Sequence, residues 1–152
     1  MADSAEIVPV PTRLARISDV QQILALEQHT STAAHWTADQ YNKLVENGLV
    51  FLAKRAGYLC GFIAAQILVD EWEIQNLVVA AQVRRQGIAA ELVRQVVNCA
   101  REQKASRILL DVRESNLAAR ALYEKMGFAL EGVRPGYYEN PDESAILYSL
   151  RP

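Results

Sequence analysis

The sequence has few of the features that mark exported, membrane-spanning or metal-dependent proteins. Its two cysteines, Cys60 and Cys99, are far apart in a chain without an export signal, so we expect buried thiols and no disulfide. No apolar run reaches the roughly 20 residues that a membrane-spanning helix needs, and the N-terminal residues lack the basic and apolar regions of a signal peptide. The histidines and cysteines show no metal-ligand spacing. We therefore expect a cytoplasmic protein with no membrane partner and no metal.

A surplus of charge of either sign is also absent. The 16 lysines and arginines nearly balance the 18 aspartates and glutamates, and the net charge is -2 at pH 7. Proteins whose main partner is nucleic acid usually have a basic surplus, so that class is not expected. With 152 residues, of which 51% are hydrophobic, the chain is long enough for one domain around one core. We predict a single domain over residues 1–152, in which residues 1–11 form a loose lead-in.

The pattern of apolar and turn-forming residues predicts an α/β domain with the element order βααβββαβαββ. Capping boxes predict that helices begin at Ser18–Gln21 and at Thr37–Gln40. Apolar residues at helical spacing predict another helix after Gly87. Apolar and β-branched runs predict the strands, two of which form a hairpin around Ala56-Gly57. We expect a mixed sheet flanked by helices, with at least one βαβ crossover.

Positive charge is concentrated in front of the helix that follows Gly87. Arg84 and Arg85 precede it, and no acidic residue occurs there before Glu91. A helix start carries unpaired N–H groups and the positive end of the helix dipole, so arginines there would be repelled unless an anion binds. A strand–turn–helix of this kind is suited to a diphosphate. The spacing alone leaves two interpretations open, a diphosphate site and a surface loop with solvated arginines.

Longer motifs in the sequence resemble one family. The stretch RRQGIA, Arg84 to Ala89, is similar to the R/Q-x-x-G-x-G/A signature of the GNAT N-acetyltransferases, and ESNLAARALYEKMGF, Glu114 to Phe128, resembles their later S-N-x-x-A-x-x-L-Y-x-x-x-G-F block. HWTADQYNKL and the tail RPGYYENPDESAILYSL resemble the RimI-type protein N-terminal acetyltransferases, which act on the N-terminal alanine of a ribosomal protein. The resemblance implies a GNAT-like fold and acetyl-CoA as co-substrate.

Residues around these motifs are the expected acetyl-CoA site. The resemblance implies that the loop with Arg84 and Arg85 binds the pyrophosphate of acetyl-CoA. It also implies that the strand before this loop and the helix with Tyr123 contact the rest of acetyl-CoA, and that no metal takes part. The expected acetyl-CoA-binding residues are Leu77, Val78, Val79, Arg84, Arg85, Gln86, Gly87, Ile88, Ala89, Ala90, Asn116, Ala119 and Tyr123.

Three side chains are candidates for proton transfer. Acetyl transfer to an amine needs a route for the amine proton and an acid for the leaving thiolate. Glu73 and Asp111 are strand carboxylates that could act as the base, with a water chain or no base as alternatives; the family resemblance favours Asp111, where relatives place glutamate. Tyr123 shares a helix face with Asn116 and Ala119. By itself Tyr123 is typical of a core tyrosine, whereas the resemblance implies that it is the acid.

Aromatic residues near two loops are the expected acceptor site. Trp36 is expected to be exposed with His29 and His35, and Tyr137 and Tyr138 are expected at the start of the last hairpin loop. The resemblance makes Tyr137 and Tyr138 a peptide clamp, with ordinary hairpin aromatics as the alternative, and Trp36 is expected to line the same peptide groove. Acidic residues could form a surface for a basic peptide if residues 70–73 and 139–143 are neighbours.

The predicted function is transfer of an acetyl group from acetyl-CoA to the N-terminal α-amine of a protein, with a ribosomal protein as the expected acceptor. An α-amine has a pKa near 7.7–8, so it needs less help than a lysine, with a pKa of about 10.4. Two alternatives stay open: a small-molecule amine acceptor such as a polyamine or an antibiotic, and a non-catalytic CoA-binding module. A monomer or weak dimer is expected.

Overall fold

A computed structural model of the chain describes residues 10–30 and 35–152, so most of the expected lead-in, residues 1–9, lies outside the described part. The helices and strands follow the predicted order. They are β1 (Thr12–Leu14), α1 (Val20–Gln28), α2 (Ala38–Glu46), β2 (Val50–Arg55), β3 (Tyr58–Leu68), β4 (Glu71–Val79), α3 (Ile88–Glu102), β5 (Arg107–Arg113), α4 (Leu117–Lys125), β6 (Ala129–Tyr138) and β7 (Glu143–Leu150). Two 3₁₀ turns, Ile17–Asp19 and Ala81–Val83, precede α1 and α3.

The strands form a mixed sheet, as predicted. Their order is β1-β2-β3-β4-β5-β7-β6. Strands β4 and β5 are parallel, and they are connected through α3, which is the expected βαβ crossover. The pairs β1–β2, β2–β3, β5–β7 and β6–β7 are antiparallel. The predicted α/β class and the mixed sheet are confirmed.

The chain divides into two compact units. The first comprises Met1–Ala65 and Gln75–Val96, and the second comprises Gln66–Ile74 and Val97–Pro152. In the first unit, the core packs α1 and α2 against the sheet through residues such as Ile23, Tyr41, Leu52 and Phe62, all 0% exposed. The predicted apolar stripe of α3 is buried as well, because its residues recur every three or four positions.

In the second unit, the strand β5 alternates strictly between buried and half-buried residues. Ile108, Leu110 and Val112 are buried, while Asp111 and Arg113 face the opposite side because successive strand residues point to opposite faces. Polar groups of β5 thus share one face of the sheet. This alternation positions the candidate catalytic carboxylate.

Local structure differs from the predictions at two places. The helical turn before α1 begins one residue before Ser18, with Arg16 as its N-cap, and the Asp19 carboxylate accepts from the Arg16 N–H at 2.8 Å and pairs with Arg13 at 2.9 Å and with Lys54 at 3.2 Å. The predicted Ser18 capping box is wrong because Ser18 lies inside this turn, where Asp19 bonds to the N-cap backbone instead. The Thr37–Gln40 capping box is confirmed, with reciprocal bonds of 2.8 and 3.2 Å.

The second difference concerns the last hairpin. Strand β6 continues to Tyr138, so Tyr137 and Tyr138 end a strand instead of beginning a loop. The pairing of β6 with β7 shifts register between Arg134 and Tyr138. This irregularity lets the strand extend through Pro135 and Gly136, which the sequence pattern assigned to a loop.

Candidate functional site

Residues 80–87, here called the arginine loop, connect the end of β4 to the start of α3 in the first unit. Arg85 and Gly87 both adopt left-handed backbone conformations, with φ of 64° and 77°. The Gly87 carbonyl accepts the first helical bond, from the Glu91 N–H at 3.0 Å. The N–H groups of Ile88, Ala89 and Ala90 therefore have no acceptor within the helix. A helix start of this form binds anions.

The charges of the loop also favour an anion. Arg84 and Arg85 are exposed, and among the described residues neither forms an ion pair with a carboxylate. The nearest acidic residue along α3, Glu91, already pairs with Arg94. Free N–H groups and unpaired guanidinium groups fit the diphosphate of acetyl-CoA. The residues of the loop therefore match the group that the sequence motif implied.

Gly61, which the sequence analysis missed, allows a close approach beneath the loop. A Cβ atom at Gly61 would lie 2.8 Å from the Val78 carbonyl oxygen, 3.2 Å from Ile88 and 3.3 Å from Leu92. A side chain there would push β3 away from β4 and from the start of α3. Val78 is buried, whereas the candidate residues Leu77 and Val79 on either side of it are half-buried.

The start of α4 carries Asn116 and Ala119 in direct contact. The Asn116 side-chain oxygen accepts from the Ala119 N–H at 3.2 Å, so Asn116 caps the helix. Its amide NH₂ group remains a donor. The sequence motif predicted a shared face for these residues and Tyr123, and a role in capping is an additional reason for asparagine at this position.

Tyr123 is a buried tyrosine in the second unit. Its ring is 6% exposed and lies 5.6 Å from the ring of Phe128 and 6.3 Å from that of Tyr148. Burial raises the pKa of the Tyr123 phenol, and the neighbouring Tyr138 raises it further. A phenol of ordinary pKa is already protonated at neutral pH, which is the state that an acid needs, and burial keeps the Tyr123 hydroxyl group in that state.

The two candidate bases lie on neighbouring strands of the second unit. Glu73 of β4 pairs with Leu109 of β5, two residues before Asp111. Because alternate residues share a face, both carboxylates lie on the same face of the sheet. Burial raises the pKa of Asp111, and the positive charge of Arg134 partly opposes this. A carboxylate with a raised pKa holds a proton more readily and is suited to act as a base.

The two tyrosines that end β6 form an aromatic pair beside Asp111. Their rings are 5.1 Å apart in an edge-to-face arrangement. Tyr137 is 49% exposed, whereas Tyr138 is half-buried with the Arg113 guanidinium 4.5 Å from its ring. Burial, followed by the negative charge of Asp111, raises the pKa of Tyr138 to about 12. Tyr138 is therefore within electrostatic reach of both Asp111 and Tyr123.

The expected acidic surface is partly neutralised. Glu71 pairs with Arg107, and Glu143 pairs with Arg113 at 3.2 Å and accepts a bond from the Ser115 N–H. The bonds from Ser115 and Arg113 lower the pKa of Glu143. These carboxylates stabilise the second unit and contribute little free negative charge for a basic peptide.

Trp36 is half-buried, so the expectation of an exposed Trp36 is wrong, although His29 and His35 are exposed as expected. The ring packs against the core of the first unit, 6.4 Å from the ring of Tyr41. Residues 31–34 of the same loop lie outside the described residues.

Glu27, another residue that the sequence analysis missed, holds this segment. Its carboxylate is 1% exposed; it accepts from the Trp36 N–H at 3.1 Å and from the Tyr41 hydroxyl, and His35 lies 3.4 Å away. The Asn76 amide donates to the Tyr41 oxygen at 3.0 Å. A glutamate on the apolar face of α1 was the signal in the sequence. The network positions the backbone at Trp36.

The described residues also bear on the expectations about the membrane, metals and thiols. No helix among them is long and apolar enough to cross a membrane. No group of three or more histidine, cysteine or acidic side chains in residues 10–30 and 35–152 is arranged to hold a metal ion. Cys60 and Cys99 are free thiols; Cys60 is buried as expected, whereas Cys99 is half-buried, so the expectation of a buried thiol is wrong there.

Comparison with known proteins gives consistent results. The model of the acetyltransferase (GNAT) family matches residues 17–128. A Bacillus subtilis (strain 168) protein, provisionally named as a ribosomal protein bS18-alanine N-acetyltransferase, is 31% identical over 138 residues, which are 89% of this chain and 91% of that protein. The ribosomal protein bS18-alanine N-acetyltransferase of Escherichia coli (strain K12) is 33% identical over 107 residues, covering 69% and 72% of the two chains.

A solved structure shows the same fold. The crystal structure of the ribosomal-protein-S18-alanine N-acetyltransferase from Escherichia coli superposes with a TM-score of 0.80 at 27% identity, covering 93% of this chain and 92% of that one. The family match, these relatives and the arginine loop agree with one another. The chain therefore belongs to the acetyltransferase (GNAT) family and is an N-acetyltransferase.

Proposed function

We propose that this enzyme transfers the acetyl group of acetyl-CoA to the N-terminal α-amine of a protein, with a ribosomal protein as the preferred acceptor in the cytoplasm. The relatives named for that reaction support the acceptor class. The observation that most supports the chemistry is the grouping of Asp111, Tyr123 and Tyr138 in the second unit, where, beyond the effect of burial, Asp111 raises the pKa of Tyr138 and Tyr138 raises that of Tyr123. A base, an acid and an aromatic contact for a peptide are the groups that this reaction needs.

The proposed roles in binding follow from the local geometry. In the first unit, Arg84, Arg85 and the N–H groups at the start of α3 bind the diphosphate. In the second unit, the Asn116 amide donates to the pantetheine arm. Acetyl-CoA supplies an acetyl group that is activated as a thioester. Holding the diphosphate by fixed donors orients the thioester without further loss of entropy at the moment of reaction.

The proposed roles in proton transfer complete the reaction. Asp111 accepts the proton that the acceptor amine loses as its nitrogen bonds to the acetyl carbon, either directly or through a water molecule. Tyr123 donates its proton to the sulfur as the carbon–sulfur bond breaks and the electron pair leaves with the sulfur. Asp111 then returns its proton to solvent and Tyr123 regains one. Glu73, on the same face as Asp111, is the alternative base.

Tyr137, Tyr138 and Trp36 are proposed to contact the acceptor peptide. The edge-to-face pair offers a rigid apolar surface with polar hydroxyl groups, which suits an extended peptide backbone. Because Glu71 and Glu143 are paired with arginines, recognition of the chain end by shape and hydrogen bonds is favoured over recognition by charge alone.

Mass spectrometry with a matched set of acceptors tests the function. The set is a peptide with an N-terminal alanine, the same peptide with a formylated N-terminus and an internal lysine, spermidine and an aminoglycoside, each with acetyl-CoA. We expect one acetyl group on the free α-amine and none on the blocked peptide. Turnover of the small amines without turnover of the peptide would show that the acceptor is a small molecule. No turnover, with acetyl-CoA bound, would favour the non-catalytic alternative.

A further inference from the structure

A third arginine contacts the loop from a different strand. Arg55 ends β2, and its guanidinium donates to the Gln86 side-chain oxygen at 2.7 Å. The following turn is tight, because Ala56 and Gly57 both have positive φ, 50° and 81°, and Arg55 pairs with Tyr58 across it. The hairpin therefore fixes the backbone of Arg55 beside the loop, although the two contacting residues are 31 positions apart in the sequence.

This arginine has no counter-ion in the described part of the chain. Neighbouring cations do: Lys54 binds Asp19 at 3.2 Å, and Arg94 pairs with Glu91. Arg55 is instead exposed, and among residues 10–30 and 35–152 it is bound only through the neutral amide of Gln86. The Gln86 oxygen takes one of its five N–H groups, so the planar fork keeps donors that can bind a phosphate.

The charges at the loop exceed what a diphosphate requires. A diphosphate that bridges two groups carries two negative charges, which Arg84 and Arg85 match together with the N–H groups of α3. Coenzyme A has one further phosphate, a monoester at the 3′ position of the same ribose that carries the diphosphate. A phosphomonoester carries about -1.5 to -2 charges at pH 7 and has three acceptor oxygens. It is the strongest additional anion in the ligand and matches a third guanidinium.

We propose that Arg55, held by Gln86, binds the 3′-phosphate of acetyl-CoA and makes the enzyme select the 3′-phosphorylated nucleotide; this selection rests on the proposed use of acetyl-CoA. Arg55 is a specificity residue, and it takes no part in acetyl transfer itself. Gln86 is its positioning residue. The remaining phosphates are bound by the backbone and side chains of the loop, so the 3′-dephosphorylated ligand still binds, but more weakly.

Isothermal titration calorimetry tests this proposal with two ligands, CoA and 3′-dephospho-CoA, on two proteins, the wild type and Arg55→Ala. We expect the wild type to bind CoA about tenfold more tightly, equivalent to about 1.4 kcal/mol. Arg55→Ala should lose this preference while its Kd for 3′-dephospho-CoA stays within about twofold of the wild-type value. Such a cycle isolates the contact between one side chain and one phosphate. The preference should also decrease with added salt.

Two further variants serve as controls. Arg151→Ala removes the same charge from an exposed position of the second unit and should keep the full preference for CoA. Arg55→Lys keeps the charge but loses the planar fork and should retain part of the preference. Melting temperatures without ligand should change little, because Arg55 is exposed and pairs with no carboxylate.

The possible results separate this proposal from the proposed function. If Arg55→Ala raises the Kd of CoA and of 3′-dephospho-CoA equally, Arg55 contacts the diphosphate and the proposed selection is wrong. An unchanged preference in Arg55→Ala would overturn it as well. If the wild type binds neither ligand, the use of acetyl-CoA and the role of Arg55 are both wrong. If CoA is selected through Arg55 but no peptide is acetylated, only the proposed acceptor is wrong.

Discussion

The substitution Tyr123→Phe removes one hydroxyl group and keeps the ring that packs at 5.6 Å from Phe128 and 6.3 Å from Tyr148. If Tyr123 is the acid, the loss should appear in kcat, because the proton moves only as the carbon–sulfur bond breaks. General acids typically contribute about 10²–10⁴ in rate, which corresponds to about 2.7–5.4 kcal/mol of activation free energy. The KM for acetyl-CoA should stay nearly constant, since the arginine loop is unchanged.

A neighbouring tyrosine provides a matched control. The Tyr148 hydroxyl donates to Glu124 at 2.8 Å and accepts from Arg120 at 3.2 Å. Removing these bonds by Tyr148→Phe should cost about 1–2 kcal/mol of stability, which lowers the melting temperature by about 2–4 °C per kcal/mol in a chain of this size. Its kcat should remain near the wild-type value, because Tyr148 has no proposed role in the reaction.

Steady-state kinetics and thermal unfolding of both variants give the decisive comparison. We expect a large loss of kcat with little change in melting temperature for Tyr123→Phe, and the reverse for Tyr148→Phe. A folded Tyr123→Phe enzyme with wild-type kcat would refute the acid role, leave Tyr123 as a core residue, and make solvent the proton donor.

The other predictions concern the loop, the acceptor and the buried carboxylates. Arg84→Ala with Arg85→Ala should at least halve the rise in melting temperature that acetyl-CoA causes, without destabilising the free protein; an undiminished rise would contradict the diphosphate site. Tyr138→Ala should raise the peptide KM several-fold and leave that of acetyl-CoA unchanged in initial-rate assays. Glu27→Gln should likewise raise only the peptide KM, through loss of the bonds that hold the backbone before α2. Asp19→Asn should lower the free energy of unfolding by about 1–2 kcal/mol at pH 7. This is less than the loss expected for a fully buried ion pair, because Arg13 is partly exposed. Since folding lowers the pKa of Asp19 below the ordinary 3.8, its contribution is present above that value and is lost as the pH falls towards the folded-state pKa, so urea unfolding of wild type and variant should converge in acid.

Much of the fold was predictable because it depends on neighbouring residues. The Thr37–Gln40 capping box requires only two side chains three positions apart, and the turn at Ala56-Gly57 depends on two adjacent residues, of which Gly57 takes a positive φ without strain. The error at Ser18 is also local: the turn begins at Ile17, and Asp19 bonds to the Arg16 N–H and to Arg13, three and six positions away. Only the additional bond of Asp19 to Lys54, 35 positions away, lies outside any local pattern.

Within the candidate site, the motif around Arg84 and Gly87 was visible in the sequence because a loop and a helix start are continuous in the chain. The partners of these residues were not. Arg55 meets Gln86 only because the hairpin returns beside the loop, and Gly61 is needed only because β3 passes close to Val78 and Ile88. Such contacts depend on strand order and register, which local periodicity does not encode.

The amino-acid sequence by itself determined the order of elements, the apolar stripe of α3 and the arginine loop, since each arises from the spacing of nearby side chains. Tertiary structure alone decided that Glu73 lies on the same face as Asp111, because the parallel register of β4 and β5 sets that relation. It also decided that Glu71 and Glu143 are neutralised by arginines from β5. A carboxylate becomes a base, a cap or half of an ion pair according to the charges and solvent that surround it, and those are supplied by residues distant in the chain.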